Sequence, residues 1–232
     1  MSTEHLLAVT AIVVITAALV AAAKLRPRPW TGIACVALAV LLVGAEVSWL
    51  IYHARTSEGA DLASALPFQL CDAAIFIAAA ALVLRTQLLV EVTYFWGLAG
   101  TIQAVITPDL PQHFPSFPFF QYYLAHGGIV AAALFLVVGL GQWPRRNAVL
   151  RVGLITILYA LLVGAVDASS GVNYMYLRSK PQSASLLDLL GPWPFYIGWA
   201  VLVGLGLFLV LDAPFRWLHA RRQEHIGAET GV

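Results

Sequence analysis

A chain of 232 residues that is 60% hydrophobic and 11% charged, with mean hydropathy +0.83, has too little polar surface to cover a water-soluble globule of its size. A formal net charge of +1 excludes a basic face for nucleic acid and an acidic tail. Two cysteines, Cys35 and Cys71, are too few for a disulfide framework and fall at opposite ends of the predicted membrane layer.

In chain order, apolar runs cover about 6–23, 30–52, 66–84, 88–107, 119–141, 148–167 and 192–211. Each approaches the ~20 residues that a helix needs to cross ~30 Å of hydrocarbon. The first run is read as a retained span rather than a signal peptide. Met1 to His5 carries no Lys or Arg, and Lys24, Arg26 and Arg28 follow the run instead of preceding it. The expectation is an all-α polytopic membrane bundle of seven transmembrane helices, one domain over 1–232, with the N-terminus out and the C-terminus in. Basic residues supply a second signal, because Lys and Arg collect on the cytoplasmic side. With seven spans, Lys24, Arg26, Arg28, Arg85, Arg145, Arg146, Arg151, Arg216, Arg221 and Arg222 share one side, leaving Arg55, Arg178 and Lys180 of the 13 on the other. The cytoplasmic connections are short, whereas the outer side carries a Pro-rich loop from Pro108 to Pro118 and a longer one from Ala168 to Gly191. Function concentrates on elaborated loops.

Most intramembrane polar groups converge on the outer layer when depth is counted at 1.5 Å per residue. Glu46 lies near the outer end of the second run, Gln69, Cys71 and Asp72 of the third, Gln103 of the fourth. Tyr122, Tyr123 and His126 open the fifth, Asp167 closes the sixth, and His5 precedes the first. Such clustering predicts a polar cavity facing the outer leaflet, although groups at span ends also snorkel to the headgroups. Glu91, at the inner end, is read as snorkelling.

Cys71 is the one strong nucleophile of that layer. Pro67 favours a first helical turn nearby, where unpaired N–H groups stabilise a thiolate, while Asp72 opposes it. A lone membrane cysteine also serves as a small apolar filler, which is the reading for Cys35. His126 lies one turn beyond Tyr122 on the same face, with Gly127 and Gly128 allowing a close helix approach. Near Cys71 it could act as general base; it could equally be structural. Arg178 and Lys180 beside Asn173-Tyr174-Met175-Tyr176 suit a phospholipid phosphate or are solvated loop charges. No spacing among the histidines resembles a metal-ligand pair, so neither metal nor other cofactor is expected.

The chain resembles the YwaF-type bacterial integral membrane proteins, distant relatives of an animal transmembrane acyltransferase of ether-phospholipid remodelling. The resemblance runs through Glu4-His5-Leu6, Leu66-Pro67-Phe68-Gln69-Leu70-Cys71, Thr93 to Gly100 with Thr107-Pro108, Tyr122 to His126, Asn173 to Leu177 with Lys180-Pro181, and Leu189 to Tyr196. Gln69 stands where the family often places His. The resemblance implies a multi-pass bacterial plasma-membrane protein with Cys71 as acyl-accepting nucleophile and His126 as its base. The expected partner is then a membrane lipid. Gln69 or Asn173 would donate to the oxyanion, and Asp167 or Glu46 would orient His126. Tyr122, Tyr123, His5, Arg178 and Lys180 would contact the substrate. A transporter or ligand-binding membrane module is the alternative, and a non-catalytic assembly or sensing subunit a third reading. The sequence leaves the oligomeric state open.

Overall fold

The computed structural model describes residues 2–25, 29–56, 66–181 and 185–230, with side chains to Leu218. Among these the chain is helical without strands. Six helices are long and apolar enough to cross a membrane: α1 (Thr3–Leu25), α2 (Pro29–Thr56), α4 (Gln87–Ile106), α5 (Phe117–Gly139), α6 (Ala148–Ser170) and α7, whose apolar part is Phe195–Leu218. Between α2 and α4 lies the shorter α3 (Leu70–Leu84), 15 residues or ~22 Å. Arg26 and Arg28 lie outside the described residues, as do the side chains of Arg221 and Arg222.

The boundaries follow local chemistry. The third apolar run was expected from Leu66, but helix begins only at Leu70. Pro67 disfavours helical backbone at Leu66, and the Asp72 carboxylate accepts the Gln69 N–H (3.3 Å), placing the cap at Gln69. Arg85, in left-handed backbone (φ 52°), ends α3, and Thr86 caps α4 at once, so the two helices turn back on each other. Pro118 sits in the first turn of α5, where its missing N–H is harmless.

The layering suits lipid as solvent. α4 and α5 are the most buried helices and α1 and α7 the least. α5 packs against α1, α2, α3 and α4, while α4 also meets α6 and α7. Small residues let backbones approach: Ala74, Ala78, Ala81, Ala132 and Ala133 are fully buried. Large aliphatic side chains instead face outward, among them Val13, Ile15, Leu150, Leu161 and Val210. At Gly127 an added Cβ would lie 2.6 Å from Ile12 of α1, and at Gly128 2.8 Å from Leu42 of α2. The glycine pair is therefore where these two helices close onto α5.

The bundle has two chemically different ends. At one, Arg145 and Arg151 converge on Glu91. This carboxylate does not snorkel: it is fully buried and accepts five hydrogen bonds, from the Arg145 backbone N–H and from both guanidinium groups, at 2.8–3.3 Å. Burial of a carboxylate is tolerable here because two cations surround it. At the other end the long loops fold over the helices, and Cys71 lies beneath them. α3 touches both ends, through Arg85 to Cys35 (3.4 Å) and through Gln69 to the backbone of Met175 (2.7 Å).

Candidate functional site

Cys71 occupies the second position of α3, and its side chain is half-buried. Ala73 is the first residue of α3 to bond back, to the Gln69 carbonyl (3.1 Å), so the N–H groups of Leu70 and Cys71 have no intrahelical partner. The Thr101 hydroxyl donates to the Cys71 sulfur at 3.8 Å. Thr101 reaches it because α4 widens into a π turn over Trp96–Thr101, an irregularity frequent at functional sites. Gly100, in the same turn, lets the first turn of α3 come close, since a Cβ there would lie 3.2 Å from Leu70 Cδ2. Thr101 was not singled out from sequence; the small-residue stretch Gly97 to Thr101 was the available signal.

His126 is half-buried one turn below Tyr122, and their rings stack at 4.1 Å. Its Nδ1 lies 2.8 Å from the Tyr122 carbonyl. A carbonyl can only accept, so Nδ1 carries the proton and neutral His126 keeps a lone pair on Nε2, the tautomer that a base requires. The Tyr122 ring covers His126, and its hydroxyl donates to the Ala104 carbonyl (3.0 Å). The thiol's hydrogen bond among the described residues is with Thr101, and that of the imidazole is with Tyr122.

Above them lies the loop after α6. The Gln69 Oε1 accepts the Met175 N–H (2.7 Å), which turns its Nε2 donors the other way. Met175 and Tyr176 both adopt left-handed backbone (φ 51° and 56°), costing roughly 1–2 kcal/mol each outside glycine. The Gln69 contact and a hydrogen bond from the Tyr196 hydroxyl to the Tyr176 carbonyl hold them there. Tyr176 donates to Asp109 (3.3 Å), and burial, then the Asp109 charge, pushes its phenol above the ordinary range. Tyr174 is fully buried against Phe68, its N–H bonded to Asp167 Oδ1 (2.9 Å).

The other predicted site residues divide into three groups. Asn173 is engaged at both ends within its own loop, donating to Ser179 and accepting the N–H groups of Arg178 and Ser179. Arg178 donates to the Asp167 and Val172 carbonyls (3.4 Å each), while Lys180 lies 3.8 Å from Asp188 and over the Tyr196 ring. Glu46 and Asp167 are buried, with Glu46 Oε1 and Asp167 Oδ2 lacking partners. His5 Nδ1 is 2.7 Å from the Tyr123 hydroxyl, beside the Glu4–His113 pair and a cavity of about 130 Å³, and the Tyr123 ring lies edge-on to that of Tyr122 (5.5 Å). No group of three metal-ligating side chains occurs among the described residues.

Comparison with known proteins adds the wider context. An uncharacterized protein of Treponema pallidum (strain Nichols) is 27% identical over 172 residues, covering 72% of this chain and 69% of that protein. No solved structure matches. The TMEM164 family profile matches residues 1–212, nearly the whole helical bundle, and the chain therefore belongs to the TMEM164 family.

Proposed function

We propose that this protein is a YwaF-type member of its family, a seven-span protein of a bacterial plasma membrane that moves acyl groups between lipids through Cys71. α3 is the seventh span, short because its first turn is recessed under the loops. The N-terminus faces out and the C-terminus in, so that the end rich in arginine meets the cytoplasm.

The observation that carries this reading is the thiol of Cys71 in the unpaired first turn of α3, beside the Thr101 hydroxyl; His126, in the base-competent tautomer, is the imidazole that the reading assigns to it. His126 Nε2 takes the thiol proton, directly or through one water in the lipid-bound state. The thiolate attacks an ester carbonyl carbon; the C–S bond forms, the C–O bond breaks, and the departing lysolipid oxygen takes the proton from His126. The hydroxyl of a second lipid then attacks the thioester, giving its proton to His126 as the new C–O bond forms and the thiolate leaves, to be reprotonated by His126. The Cys71 N–H and Gln69 Nε2 are the candidate oxyanion donors. Asn173, engaged within its loop, is a weaker one. Tyr122 positions the imidazole.

The test is exchange of a deuterated acyl chain between two phospholipids in proteoliposomes. Cys71→Ala should abolish exchange, and His126→Ala should lower it by roughly 10²- to 10⁴-fold. Exchange unaffected by Cys71→Ala would reject the reading.

The unpartnered oxygens of Glu46 and Asp167 favour a second reading, a site for a solute that donates hydrogen bonds. Flux into proteoliposomes that is lost in Glu46→Gln but survives removal of Cys71 and His126 would favour it over acyl transfer.

A further inference from the structure

A cavity lies at the end of the bundle opposite Cys71. It encloses about 390 Å³ and is lined by Pro29, Thr31 and Gly32 of the first turn of α2, by Arg85, and by Leu140 and Gln142 beyond α5. This volume is in the range of small-molecule sites. Arg151 and Arg145 at this end are neutralised by Glu91, and Arg216 by Asp212. Arg85 differs: among the described residues it pairs with no carboxylate, and its side chain donates to the Cys35 sulfur (3.4 Å), a weak acceptor.

Two further observations single the cavity out. Arg85 adopts left-handed backbone (φ 52°), a position where glycine would be unstrained, so a long cationic side chain is kept there against a conformational penalty. Gln142 buries its Oε1 without a partner. The cavity thus presents an uncompensated cation and an unsatisfied acceptor, and a ligand matching both carries an anion and a hydrogen-bond donor. The helix ends and the neighbouring arginines place it at the level of membrane headgroups.

We propose that this cavity binds the headgroup of a phospholipid whose phosphodiester is followed by an amine or a hydroxyl, with Arg85 on the phosphate and Gln142 Oε1 accepting from the headgroup donor. Choline headgroups, which lack a donor, are discriminated against.

Native mass spectrometry of the full chain in detergent tests this with phosphatidylethanolamine, phosphatidylglycerol and phosphatidylcholine of matched chains. The first two should bind at least about tenfold more tightly than the third, since a donor left unmatched or missing costs roughly that factor. Arg85→Gly relieves the backbone and removes the cation, so the melting temperature should not fall while binding weakens roughly ten- to hundredfold. Gly32→Leu plugs the cavity with Arg85 untouched; no atom lies within 4 Å of an added Cβ there, and binding should again be lost. Equal binding of all three lipids, or wild-type binding by both variants, would overturn the assignment. Binding of soluble glycerophosphoethanolamine as tight as that of the lipid would overturn the membrane source.

Discussion

Glu91→Gln is the substitution whose cost the structure defines best. The carboxylate is fully buried and accepts five hydrogen bonds, all from Arg145 and Arg151. Glutamine keeps the volume but removes the charge and turns an amide donor toward guanidinium donors. Breaking a buried ion pair costs about 3–5 kcal/mol when the remaining charge has no access to water. Here the arginine side chains are 53% and 34% exposed and can rehydrate, which lowers the expected loss to about 2–3 kcal/mol. That corresponds to a melting temperature lower by roughly 5–10 °C. Thermal unfolding in a fixed detergent, followed by circular dichroism, measures it. Arg145→Ala should cost less, because Arg151 still pairs with Glu91. A melting temperature unchanged in Glu91→Gln would mean that the cluster contributes no net stability and would refute the reasoning.

Gly127→Ala forces a Cβ to 2.6 Å from Ile12 and should cost about 1–3 kcal/mol, whereas Gly128→Ala displaces only the end of Leu42 and should cost less. Ile12→Ala should rescue the first, in the same unfolding assay. Tyr176 has its folded-state pKa raised by burial and by Asp109, so its contribution is complete below the ordinary phenol value near ~10 and is lost as pH rises through the folded one. Limited proteolysis of the loop should therefore accelerate above about pH 10, and Tyr176→Phe should blunt that onset; an identical onset in the variant would contradict the assignment. Gln69→Ala removes the acceptor of the Met175 N–H and should speed amide exchange at Met175, as hydrogen exchange can detect.

Length and hydropathy were sufficient to mark the six helices long enough to cross a membrane and the position of the shorter α3, because a span must satisfy its backbone internally and few alternatives exist in lipid. The i, i+4 relation of Tyr122 and His126, and the close approach at Gly127 and Gly128, were also readable, since helix periodicity alone decides them. Three features were not. The π turn that presents Thr101 depends on the packing of Gly97 and Gly100 against α5 and α3, and hydropathy is blind to it. The pairing of Glu91 with Arg145 and Arg151 joins residues more than fifty positions apart, so span counting could only place Glu91 near an interface. The loop after α6 read as cations beside aromatics, suited to a phospholipid phosphate or simply solvated. In the fold its polar groups are turned onto its own backbone and onto Gln69, which leaves Arg178 and Lys180 with partners inside the protein. The His5–Tyr123 hydrogen bond was not readable either, because depth along a helix says nothing of azimuth.

The central claim is that Cys71 carries an acyl group, and intact-protein mass spectrometry tests it most directly. After incubation with phospholipid vesicles, the protein should gain the mass of one acyl chain, localised to Cys71, released by neutral hydroxylamine and absent in Cys71→Ala. Protein that retains its native mass with phosphatidylethanolamine, phosphatidylglycerol and phosphatidylcholine, or an adduct that persists in Cys71→Ala, would contradict the account.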